Sequence, residues 1–141
     1  MAPVRWRRLL ARAAAVAGLL ALTGCGSTTT RHDFELDAAT VASVAAEGSL
    51  LARDVAEGDA FDSFVRVHAR ELAGQAAELA DTLLRLRNVS GLPAERLATI
   101  AATVADDLES LSRRPPAEAA GRIEARLDRQ AALAAALERR A

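Results

Sequence analysis

Two kinds of side chain in this 141-residue chain could do chemistry: the single cysteine, Cys25, and the two histidines, His32 and His68. A thiolate is a nucleophile and a metal ligand, and an imidazole is a base and a metal ligand near neutral pH. His68 falls on the helical file Phe61, Val65, His68, Leu72, Gln75, Leu79, Thr82 and Leu86. His68, Gln75 and Thr82 would then form a polar file inside an apolar seam. Glu71, three residues after His68, lies within reach of it on a helix. A file of this kind could take a metal or a small ligand. The more ordinary role of such a file is to fix the register of packed helices, with the imidazole hydrogen-bonded to a carbonyl or to a facing Glu or Arg.

The spacing argues against a metal centre. Di-iron bundles use Glu-x-x-His with the acid first, on two helices, with further glutamates. Here the order is reversed and the pair occurs once, and His32 lies far from any seam. Nucleophilic catalysis has less support still. No Gly-x-Ser-x-Gly is present, and Ser43, Ser49 and Ser63 have no spacing that recruits His68. No glycine-rich phosphate loop occurs. Asp106 and Asp107 are adjacent on a helical pattern, so they point in different directions and read as a solvated face. A hydrolase of envelope polymers would need a cleft with a shifted carboxylate, and no pattern here supplies one. The sequence predicts no enzyme and no cofactor.

The elements that must position these residues are helical. From Asp37 onward apolar residues recur at steps of three and four, and no alternating strand run is present. A first helix is predicted over 37–57, with Val41, Val44, Gly48, Leu51 and Val55 on its stripe. Gly58 and Asp59 supply a C-terminal glycine and an N-cap. A second helix follows over 60–87, and 88–92 is a loop. Pro93 opens a third helix at a first-turn position, with Leu97, Ile100, Ala101, Val104, Leu108 and Leu111 inward. Pro115 and Pro116 break the chain, and a fourth helix runs to about Arg140 on Ile123, Leu127, Ala131, Ala134 and Leu137.

Acids open the helices at Asp37, Glu95 and Glu118, and arginines close the later ones at Arg85 and Arg87, Arg113 and Arg114, and Arg139 and Arg140. Asp62–Arg66, Asp81–Arg85, Glu109–Arg113 and Glu118–Arg122 have the i, i+4 spacing of helix-surface ion pairs. Small residues on the first two helices, Gly48 beside Glu47 and then Ala69, Gly74 and Ala76–Ala77, would permit those helices to approach closely. Short connections make neighbours antiparallel, so the expected fold is an all-α, up-down-up-down four-helix bundle. A helical hairpin with a looser third and fourth helix is the alternative. The fourth helix is thin in large residues and could instead dock on a partner.

The N-terminal stretch has a different character. Arg5, Arg7, Arg8 and Arg12 form a basic region, followed by an apolar run from Ala13 to Leu22. That run is too short to cross a hydrocarbon core of about 30 Å as a helix. It leads into Leu22-Thr23-Gly24-Cys25. Residues 1–25 resemble a bacterial lipoprotein signal peptide with its lipobox. The resemblance implies that Cys25 receives a diacylglyceryl thioether and that a peptidase cuts before it. Two acyl chains anchor stably where one is marginal, at roughly 0.8 kcal/mol per buried methylene. An ordinary secretory signal with a free cysteine is the alternative.

Arg7-Arg8 before Leu9-Leu10 resembles a twin-arginine export signal, and adjacent arginines are also common in ordinary basic regions. Gly26 stands where lipoproteins retained on an inner membrane often carry Asp, a difference that matters only in a cell with two membranes. The stretch from Phe64 to Leu83 resembles small lipoproteins of high-GC Gram-positive bacteria, and that likeness brings no activity with it.

These readings divide the chain into a signal peptide (1–24), a lipidated cysteine and tether (25–36), and a helical domain (37–141). The polar stretch 26–31 spans roughly 20 Å when extended. All 19 acidic residues and 14 of the 18 basic ones follow the lipobox glycine, so the mature part is acidic by five charges. That balance argues against nucleic acid and against a general grip on anionic headgroups. No second cysteine exists to form an internal disulfide, so packing must carry stability. With the lipoprotein resemblance of residues 1–25, which implies a lipid anchor on the extracytoplasmic side, the expectation is a helical module of the cell envelope. It would act on another envelope protein or by self-association. The competing expectation is a metal- or small-ligand-binding bundle using His68, Glu71, Gln75 and Thr82.

Overall fold

A capping box starts the first helix. The Thr30 hydroxyl accepts a hydrogen bond from the Asp33 amide at 3.2 Å, and the Asp33 carboxylate accepts one from the Thr30 amide at 2.8 Å. In this computed structural model, which describes residues 30–86 and 93–141, four helices follow one another. They are α1 (Arg31–Glu57), α2 (Asp62–Leu86), α3 (Ala94–Ser112) and α4 (Ala117–Glu138). Cys25 with the rest of the expected signal peptide, and the expected loop at 88–92, lie outside the described residues.

α1 begins six residues before the expected Asp37. The reason is local: Thr30 and Asp33 reciprocally satisfy orphan amides, and Phe34, 1 % exposed, pulls the first turn onto the core. Burying such a side chain contributes about 2 kcal/mol. The stretch 31–36, expected as tether, is therefore helix. At its other end α1 closes on Gly58, whose φ of 82° is left-handed. The Asp59 amide donates to the Asp54 carbonyl at 2.9 Å, completing the closure. Asp59 thus closes α1, and α2 starts two residues later than an Asp59 N-cap would place it. Pro93 and Pro116 sit at the N-caps of α3 and α4, where a missing N–H costs nothing.

The helices form an antiparallel four-helix bundle. α1 lies along α4 and α2 along α3 over long stretches. The α1–α2 and α3–α4 contacts are narrower, and α1 also reaches α3. The fourth helix is thus a full member, seated against α1 by Ala120, Ile123, Leu127, Ala134 and Leu137.

Two expectations about faces need correction. Gly48 does not serve an α1–α2 contact. A Cβ built there would lie 2.5 Å from Leu108 Cδ2 and 3.2 Å from Leu127 Cδ1, so Gly48 is where α1 lies close against α3 and α4, while Gly74 faces open space. The buried face of α2 is Val65, Ala69, Leu72, Ala76, Ala80 and Leu83, with Phe61 outside it. Past Val65 that face is turned by about one residue from the expected file. The turn buries Ala69, Ala76 and Ala80 instead and leaves Gln75 and Thr82 in water, where they need no buried partners.

Polar links tie the helices at their margins. Asp107, expected on a solvated face, is 6 % exposed and accepts from Arg126 of α4 through Nε at 2.9 Å and Nη2 at 2.5 Å. The nearly buried Ser49 donates to Asp128 at 2.5 Å, and Arg53 donates to Glu124 at 2.8 Å, both between α1 and α4. Of the i, i+4 pairs, Glu109–Arg113 and Glu118–Arg122 form, whereas Asp62 pairs with Arg114 at the end of α3.

Candidate functional site: the His68 cluster and its aromatic neighbours

α2 carries His68 at the margin of the core, its side chain 27 % exposed. Nε2 lies 2.8 Å from Glu47 Oε1 of α1, and Nδ1 lies 3.9 Å from Glu71 Oε2, one turn on along α2. The imidazole stacks on the Phe64 ring, with centroids 5.2 Å apart and planes 24° from parallel. The two carboxylates therefore meet opposite edges of one ring. They share no point from which an ion could reach all three groups, and among the described residues no set of three His, Cys, Asp or Glu side chains is placed to hold a metal. What the arrangement can do is hold α1 to α2: it is a hydrogen-bonded link in the narrower helix contact.

The expected ligand file is only partly assembled. His68 and Glu71 are together. Gln75 and Thr82 are exposed and line a separate open hollow of about 270 Å³ with Thr40, Glu78 and Leu79. Neither reaches His68. His32 is at the start of α1, exposed, with Nδ1 4.0 Å from Glu35, and it stands about 22 Å along the helix from Glu47. Cys25, the expected lipid acceptor, lies outside the described residues.

Beside His68 is a feature the sequence reading missed. Phe61, Phe64 and Val67 are 81 %, 56 % and 67 % exposed. Two of the chain's three phenylalanines are thus outside the core, at the α1–α2 end of the bundle. Leu50, one turn beyond Glu47 on α1, is also exposed. The signal was present in the file itself: once Ala69 and Ala76 are taken as core positions, Phe64 and Val67 fall on the outer side of α2. A second missed feature is the gathering of Arg66, Arg70, Arg113 and Arg114 on the α3 side of α2.

Comparison with known proteins adds no relative: no family model, no curated protein and no solved structure matches the chain.

Proposed function

We propose that this chain is a lipid-anchored, extracytoplasmic module of the cell envelope that acts by binding and not by catalysis. Its surface for an envelope protein, or for a second copy of itself, is the Phe61–Phe64–Val67 face. The observation that carries the reading is that face: aromatic side chains are rare in this chain, and two of them lie outside a core that aliphatic side chains and Phe34 fill without them. Exposed aromatic clusters mark contact sites more often than isolated apolar residues do. The lipobox resemblance at Leu22–Cys25 supports the anchor. With α1 beginning at Arg31, the polar stretch between the cysteine and the helix is short. α1 is about 40 Å long, so the aromatic face stands at the far end of the bundle from the anchored end.

Two experiments test the two halves separately. Metabolic labelling with a fatty-acid probe should mark wild type and not Cys25→Ala; equal labelling, or none in wild type, removes the anchor. Site-specific photo-crosslinking in cells from position 61 or 64 should give a discrete adduct that Glu138, on α4, does not give. A monomeric chain with no reproducible adduct from either position removes the binding role.

A further inference from the structure

At the same end of the bundle, on the opposite flank of α2, four guanidiniums share one concavity. Arg66 and Arg70 on α2, with Arg113 and Arg114 at the end of α3, line a pocket of about 310 Å³ together with Asp62 and Ser112. Asp62 pairs with Arg114, and Glu109 pairs with Arg113. Among the described residues Arg66 and Arg70 have no carboxylate within 4 Å. The concavity thus holds two positive charges in excess on a domain whose overall balance is acidic.

We infer that this pocket binds a phosphate-class oxyanion. Packing does not account for the arginines, since all four are exposed. Helix electrostatics do not account for Arg66 and Arg70 either: they stand in the N-terminal half of α2, where the helix dipole gives a cation no help. Arg114 adds an independent observation. α1 closes through Gly58 in a left-handed conformation, and α3 closes through a left-handed residue that is Arg114, at φ 53°. Glycine reaches that conformation without steric cost and arginine does not. The chain keeps a guanidinium there against its backbone preference, and Pro115 and Pro116 stiffen the segment that follows.

The Asp62–Arg114 pair is not a sufficient return, because both side chains are well exposed, at 70 % and 38 %. Each guanidinium has five N–H donors, so the paired arginines keep donors for a ligand. Planar forks of this kind match the oxygens of phosphate two at a time.

The test uses the full chain, purified from membranes in a non-ionic detergent, and follows its melting temperature in pyrophosphate at constant ionic strength. Wild type should melt higher as pyrophosphate rises, following RT ln(1 + [L]/Kd). The Arg66→Gln/Arg70→Gln variant should bind about tenfold more weakly or worse, the loss expected for two charge-assisted hydrogen bonds. Arg96→Gln, at the other end of α3, should bind as wild type does. Arg114→Gly separates ligand from scaffold: without ligand it should melt at or above the wild-type temperature, and with pyrophosphate it should gain less.

Short-chain phosphatidylglycerol and phosphatidylcholine in place of pyrophosphate distinguish the source. A response to the first lipid alone assigns the phosphate to an anionic headgroup, and a response to pyrophosphate alone assigns it to a free anion. Both outcomes support the pocket. Melting that no phosphate compound moves overturns it. So does an equal gain in the Arg66→Gln/Arg70→Gln variant, or an equal response to succinate.

Discussion

Replacing Gly48 by alanine tests the packing of α1 against α3 and α4 more sharply than any large-to-small change in the core. Two effects oppose each other. In the middle of a helix, glycine costs about 1 kcal/mol relative to alanine, so the substitution should stabilise by that amount if nothing stands in the way. At Gly48 something does: the new methyl would be 2.5 Å from Leu108 Cδ2 and 3.2 Å from Leu127 Cδ1. Both leucines are 0 % exposed, so neither can swing into water. Forcing a methyl into such a site costs about 1–3 kcal/mol.

The overpacking term is the larger, and Gly48→Ala should lose about 1 kcal/mol net. Gly74 and Gly121 are the internal controls. Each lies within a helix, and a Cβ at either meets nothing within 4 Å, so Gly74→Ala and Gly121→Ala should each gain close to the full propensity term of about 1 kcal/mol. Urea denaturation of the three variants should therefore separate Gly48→Ala from the controls by about 2 kcal/mol, with unchanged m-values. If Gly48→Ala stabilises as the controls do, α1 does not approach α3 and α4 at this residue, and the packing of α1 on those helices is refuted.

Four further outcomes follow from the polar margins. Arg126→Ala leaves the Asp107 carboxylate nearly buried without its partner and should cost about 1–3 kcal/mol by urea denaturation, while Asp107→Leu/Arg126→Leu should recover most of that loss. Thr30→Ala removes the side-chain half of the α1 capping box and should cost about 1 kcal/mol. Burial, with Asp33 adding to it, pushes the Asp37 carboxyl above the ordinary aspartate range. Its charged form therefore opposes folding once the pH exceeds both its folded and unfolded values. Asp37→Asn should melt above wild type at pH 7, with the gap closing as the pH falls through that range.

Asp33 has the opposite sign. Hydrogen bonds from the backbone and side chain of Thr30 hold it below the ordinary range, so its contribution is present above that range and is lost as the pH falls through its folded value. Melting curves of Asp33→Asn should therefore lie below wild type at pH 7 and converge with it in acid.

The helical class, the breaks at Gly58–Asp59 and at Pro115–Pro116, and the antiparallel order were legible because they rest on local rules: period, caps and short connections. What was not legible is which face of α2 is buried. A stripe of large residues reads well when the neighbour is far enough away to need them. Here Ala69, Ala76 and Ala80 are buried on a helix that packs chiefly along α3, and alanine carries little periodic signal although it permits the closest approach. A rotation of one residue then leaves Gln75 and Thr82 outside the core, while Phe61 lies before the first turn of α2. The same limit hid Asp107: its neighbour Asp106 is exposed and was read with it, while its partner, Arg126, lies nineteen residues away on another helix. The start of α1 was missed for a different reason. Thr30-x-x-Asp33 uses an aspartate where the usual capping box has Glu or Gln, and it sits inside a polar run that reads as linker.

The candidate site follows the same division. His68 and Glu71 came together because they are one turn apart, and the facing Glu was foreseen as a type of partner although Glu47 itself was not. The antiparallel order sets the start of α2 beside the end of α3, but the meeting of Arg66 and Arg70 with Arg113 and Arg114 depends on how α2 is turned about its own axis, which the large residues misplace. Three of the four had a local explanation, an i, i+4 ion pair for Arg66 and a helix-end charge for the two after Ser112, and Arg70 had none. The structure removes the first explanation by giving Asp62 to Arg114. It weakens the second by placing Arg114 in a left-handed turn that a glycine would make more easily. Local rules thus suffice for the scaffold. The two features that set this bundle apart from a plain helical spacer, the exposed aromatic face and the arginine pocket, lie on opposite flanks of α2 at the end away from the start of α1, and both follow from which face of α2 the alanines bury.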